Sequence, residues 1–295
     1  MIEAIQEIFS YQFNQRALLA ALMAGFLNGY MGGYVVLRKG SLFAGALSHT
    51  LFPGIAVGAL IAGLNPYSAL VGAFVMALAV GLGSQGIAAN SRVDREAAMA
   101  ILYTATTAGG LIILQRLGTY AKVEEYLFGN ILRVANWDLW FMYGAGLAVL
   151  SVVLLLQRPL LVFIFSADLA ASHGLRIRRL DYLLAALVVV TMVTSLQAVG
   201  ALLALGLLVA PAATLYLFVN SPRAILWGGG VMGMIVAGSS VLLTNLLDVQ
   251  TGPAMVVLLA ALFLLGFAAS PRYGLLARFR AGHDIHHPSR GKAGT

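Results

Sequence analysis

At 295 residues the chain has the length of one large or two ordinary soluble domains, but 60% of it is hydrophobic and only 10% is charged. So few charges cannot cover a water-exposed surface, so the apolar excess must face lipid, and the chain reads as an all-α polytopic transmembrane bundle. The net charge of +7 then reports membrane topology better than nucleic-acid binding, and the lack of cysteine excludes disulfides, zinc–thiolate sites and thiol catalysis.

Residues 1–16 carry two glutamates and no basic stretch ahead of the first apolar run, unlike a cleaved leader, and are read as an extracytoplasmic N-terminus. Each span needs about 20 apolar residues. The candidates are 17–36, 42–62, 66–86, 97–114, 138–156, 182–199, 201–218, 225–246 and 252–268, all within one transmembrane domain, 17–268. Only Gly200 separates the sixth from the seventh, so eight spans with one broken or re-entrant segment stand beside nine.

The first span carries Gly25, Gly29 and Gly33, a stripe of small residues that marks a helix–helix contact, within the chain or between two copies. The second holds His49, with no acidic residue anywhere between Arg16 and Asp94 to partner it. An ionisable side chain in a span is costly and marks a pathway or partner helix, and a neutral imidazole suits divalent transition metals. The competing reading is a buried histidine bonded to a carbonyl released by Pro53. Ser48 is a weaker metal-pathway candidate, since a serine in a membrane helix commonly bonds to its own backbone. Pro53 and Gly54 predict a break in this span, as in the discontinuous helices that line transport pathways.

Two loops are long. Residues 115–137 are amphipathic and assigned outside, with Glu124 and Glu125 at an interface; residues 157–181 are assigned inside. In the second loop Ser166 is an N-cap and Gly174 a C-terminal stop for a short helix, either a docking element for a motor subunit or an ordinary interfacial helix. His173 on it reads as a solvated surface residue. The tail, 269–295, is basic and contains His283, His286 and His287, either a regulatory metal-binding tract or incidental histidines.

Orientation follows the positive charges. With nine spans and the N-terminus outside, Arg38, Lys39, Arg92, Arg95, Arg158, Arg176, Arg178, Arg179, Arg223 and the five basic residues of the tail lie inside, fourteen in all; Arg16, Arg116, Lys122 and Arg133 lie outside. The C-terminus is thus expected in the cytoplasm. No G-x-x-x-x-G-K-[ST], H-E-x-x-H or G-x-S-x-G occurs, so the chain carries no P-loop of its own and nothing in it supports an intramembrane protease or a hydrolase.

The run YVVLRKGSLFAGALSHTLFPGIAVG, 34–58, resembles the signature of the metal-cation ABC transporter permeases, the zinc and manganese uptake family. VEEYLFGNIL, SADLAASHGL, LQAVGALLALGLLVAPAAT and TGPAMVVLLAALF are similar to that family in the same order. The resemblance implies a vitamin B12 importer-like permease fold in the bacterial inner membrane and a homodimer. It further implies two copies of a separate ATPase docking around Asp168, Ala170 and Gly174, and an extracytoplasmic metal-binding protein. The cargo would be Zn or Mn, with no permanently bound cofactor. Similar members often carry an aspartate four residues before the histidine, where this chain has Gly45. Loss of a hard oxygen ligand predicts zinc first, manganese (or iron) second. An iron-chelate or vitamin B12-type permease is the second class, and an ion-gradient transporter, disfavoured by the shortage of intramembrane acids, the third.

Overall fold

A computed structural model describes residues 11–63, 65–118, 129, 134–247 and 249–270. Among them the regular structure is helical. In chain order the helices are α1 (Gln12–Leu37), α2 (Ser41–Ala62), α3 (Pro66–Asn90), α4 (Arg95–Leu117), α5 (Asn136–Leu155), α6 (Gln157–Phe165), α7 (Ala167–Ser172), α8 (Ile177–Val199), α9 (Ala201–Tyr216), α10 (Pro222–Leu247) and α11 (Thr251–Ala269). Eight are long and apolar enough to cross a membrane; α9 is apolar but shorter.

Local signals explain most boundaries. Asn65 caps α3, its side chain accepting from the Ser68 N–H while the Ser68 hydroxyl accepts from the Asn65 N–H. Asp94 caps α4 through the Ala97 N–H at 2.6 Å, and Gly118, left-handed at φ 62°, ends it. Ser166 accepts from the Leu169 N–H and starts α7, and Gly174 at φ 73° follows its end, as the sequence predicts. The stretch before α7 departs from the expectation: it is a helix, α6, whose Leu160 and Phe163 bury against the bundle.

Close backbone approach holds the centre together. Gly25 faces Gly233, Gly29 faces Gly229 and Gly33 faces Leu226, so α1 and α10 run antiparallel with backbones in contact. The glycine stripe therefore serves packing within the chain. On the other side Gly54 and Gly58 of α2 meet Gly72 and Ser68 of α3, and Gly110 of α4 closes on Pro53, where a Cβ would sit 2.6 Å from the proline Cα.

The predicted break in α2 is absent. The helix runs through Pro53 and Gly54, both buried, because the proline removes one hydrogen bond while α3 and α4 pack around the position.

Gly200 is the turn between α8 and α9. Asp181 of α8 lies beside Arg38 and Ser195 beside Asn28, so α8 climbs antiparallel to α1. Five residues past Ser195 the chain reverses, level with the middle of α1 and well short of its first turn. Gly200 adopts φ 88°, and Gly129 seats directly on it. The hairpin thus turns inside the bundle, which is why α9 falls short of a full span.

Candidate functional site

A cavity of about 680 Å³ opens at the end of the bundle that carries Arg38, Asp181 and α7. Its walls are the α1–α2 turn, one face of α2, the first two turns of α4, and parts of α8 and α9. Helical spacing puts Leu42, Gly45, Ala46 and His49 on that one face of α2. His49 is exposed rather than buried, and its ring stacks on Tyr103 with centroids 6.1 Å apart and planes 26° apart. It makes no hydrogen bond or ion pair to a described residue, so on the cavity wall its ring nitrogens are unclaimed among the described residues. The alternative of a buried, carbonyl-bonded histidine is thereby set aside.

Ser48 is not brought to the site. It is fully buried, and its hydroxyl donates to the Gly45 carbonyl at 2.7 Å, which corrects its assignment as a pathway residue. The bond is the one a serine makes to its own helix in a membrane. Pro53 and Gly54 lie behind the cavity wall as packing residues. Gly45 does line the cavity: a side chain there would meet only the Leu205 Cδ2, at 3.8 Å.

The mouth is built from an ionic cluster that sequence reasoning missed. Asp181 accepts from Arg38 and, at 3.3 Å, from Arg95. Arg95 lies 4.1 Å over the Phe43 ring and Arg38 lies 4.9 Å over Phe163. One carboxylate thus ties together α1, α4 and α8, and the guanidinium stacking adds α2 and α6. These residues sit at predicted span ends, where charges read as topology markers, and no sequence spacing links position 38 to 95 or 181. Tyr103 was missed as well, an aromatic in a span with nothing to distinguish it from a packing residue.

Beside this mouth, α7 projects from the bundle. Ala170 is fully buried and anchors it, Asp168 is exposed in its first turn, and Phe165 and Leu169 expose apolar surface. His173, exposed at its C-cap, has its N–H on the Leu169 carbonyl at 3.2 Å. Glu124, Glu125, His283, His286 and His287 lie outside the described residues. Among the described residues no group of three or more His, Cys, Asp or Glu could hold a metal ion, so a cation at His49 would find its other ligands elsewhere.

Known proteins give this geometry a context. The manganese transport system membrane protein MntC of Halalkalibacterium halodurans is 35% identical over 277 residues, 94% of each chain. The manganese import system permease protein ScaB of Streptococcus parasanguinis is 33% identical, covering 92% of this chain and 95% of that one. A solved structure, PsaBC from Streptococcus pneumoniae in complex with Fab, contains a chain of the same fold, with TM-score 0.82 and 30% identity over 95% of this chain and 100% of that one. Both named relatives are manganese proteins, so the expectation of zinc first draws no support from them. The ABC 3 transport family profile matches residues 10–270, and the chain, an integral membrane protein with eight long apolar helices among its described residues, belongs to that family.

Proposed function

We propose that this chain is the permease subunit of an ATP-driven importer for a divalent transition metal, with manganese the first candidate and zinc or iron behind it. The observation that carries the reading is His49: an unengaged imidazole on the wall of a cavity bounded by four long helices and the short α9. Manganese replaces zinc at the head because the similar permeases MntC and ScaB are named for manganese.

The remaining parts follow from the surfaces. The cavity is open on the flank of α2 where Leu42 is exposed, so one chain supplies half of a passage and a second copy the other half. The chain has no P-loop, so the driving ATPase is a separate subunit, docked on α7 around Asp168, Ala170 and Gly174. A metal-binding protein delivers the ion on the opposite face. The positive-inside bias, 14 of the 18 basic residues on one side, supports a cytoplasmic position for the cavity mouth, α7 and the C-terminus at the bacterial inner membrane.

The test is uptake by the complete complex in proteoliposomes, with ATPase and binding protein present. His49→Ala is expected to lower Mn²⁺ uptake by about tenfold or more, the scale for lost metal-site contacts. A bulky chelate would not need the imidazole, so a wild-type complex that takes up no Mn²⁺, with chelate transport that His49→Ala leaves intact, would favour the iron-chelate or vitamin B12-type reading instead.

A further inference from the structure

Deeper than Tyr103, the contact between α2 and α4 holds two oxygen atoms that lack their ordinary partners. Pro53 has no N–H, and the carbonyl that position 53 would serve in a helix is that of His49. Across the contact, the Thr107 hydroxyl is buried and makes no hydrogen bond to a described residue. Its neighbour Thr106 behaves ordinarily, donating to the carbonyls of Leu102 at 2.8 Å and Tyr103 at 3.0 Å.

The register of the two helices brings these oxygens together. Tyr103 stacks on His49, and Gly110 closes on Pro53. Thr107 lies four residues after Tyr103 and three before Gly110, on the same face of α4 as both. That register sets Thr107 level with the step between His49 and Pro53, the turn in which Pro53 leaves the His49 carbonyl without its usual donor. A buried unpaired hydroxyl destabilises the fold, and lipid supplies no water to relieve it. Polar groups left in that condition inside a membrane mark pathways.

We infer that the Thr107 Oγ1 and the His49 carbonyl oxygen join the His49 imidazole as a mixed oxygen–nitrogen station for the transported divalent cation. The inference rests on the metal-importer reading above. It supplies what Gly45 withholds: hard oxygen donors, which suit Mn²⁺ better than an imidazole alone. All three donors are neutral, so the ion is held without a countercharge, as a transit site requires for release. Water completes the shell.

The complete complex in proteoliposomes tests this, with Mn²⁺ and Zn²⁺ uptake each followed over a concentration range. Thr107→Val removes the hydroxyl at constant shape. It is expected to raise the Mn²⁺ half-saturation by about tenfold or more and to shift Zn²⁺ by much less. Pro53→Ala returns an N–H to the His49 carbonyl and should move Mn²⁺ in the same direction, whereas Thr107→Ser should restore it. Wild-type Mn²⁺ uptake by both Thr107→Val and Pro53→Ala would overturn the station. So would equal losses for both metals that Thr107→Ser does not rescue, since those would report packing. Two controls separate the levels: if the wild-type complex takes up neither metal, the importer reading itself falls. If His49→Ala is inactive while Thr107→Val is normal, only the station falls.

Discussion

Gly45→Asp adds a carboxylate one turn before His49, at a position the structure leaves open. The new Cβ meets only the Leu205 Cδ2 at an ordinary 3.8 Å, and the Ser48 bond to the residue-45 carbonyl is a backbone feature that survives. Aspartate is no worse in a helix than glycine, so the fold should not suffer. Side chains four apart on a helix stand about 6 Å from each other. At that distance, with an effective dielectric near 20, a carboxylate attracts a divalent cation by about 5.5 kcal/mol before desolvation is counted against it. If only a quarter survives, about 1.4 kcal/mol, the ion is held tenfold more tightly. The assay is Mn²⁺ uptake by the reconstituted complex: half-saturation should fall about tenfold or more, with a lower maximal rate as release slows. A half-saturation unchanged or raised, in a protein with a wild-type melting curve, would refute the reasoning. It would mean that Arg95 or Arg38, on the same cavity, captures the new carboxylate before the ion does.

Two further predictions address the frame around the site. Asp181→Asn removes the charge that Arg38 and Arg95 share and should cost about 1–3 kcal/mol, read as a lowered melting midpoint of the purified protein; an unchanged midpoint would show that the cluster is not a clamp. Gly29→Val drives a side chain into the Gly229 backbone and should cost about 1–3 kcal/mol or more, whereas Gly109→Val, facing open space, should cost far less; equal losses would contradict the close packing of α1 on α10.

Much of the fold is legible because lipid leaves the chain few choices. Backbone groups in a bilayer must be satisfied within a helix, so apolar runs of span length become helices with little competition. Local chemistry set the finer marks: Ser166 and Gly174 bracket α7 as their residue types predict. Pro53 misled because a proline's local effect depends on what packs around it. With Gly110 pressed against the ring and Gly54 against α3, the neighbours hold the helix through the missing bond. The depth of the Gly200 turn was not legible either. It depends on Gly129, some seventy positions earlier, sitting on the turn, and on Ser195 pairing with Asn28. Both are long-range contacts with no spacing rule.

At the site, His49 could be singled out because an imidazole in an acid-free apolar stretch is conspicuous as a residue type. The zinc preference, which the similar manganese permeases do not support, came from the same habit of reading. It counted ligands as side chains, found an imidazole with no carboxylate, and concluded that the site was soft. Backbone oxygens belong to every residue and so to none in such a count. One becomes available only where a helix loses a donor, and the sign of that is a proline four residues on. Pro53 was read as the place where the chain bends. In the structure the helix runs on through it, and its chemical consequence falls on the carbonyl of His49 itself. A site with oxygen donors of this kind is not committed to a soft ion by the lack of an aspartate at position 45. Selectivity then turns on whether Thr107 and that carbonyl reach the ion, a matter of the α2–α4 register set by Tyr103 and Gly110.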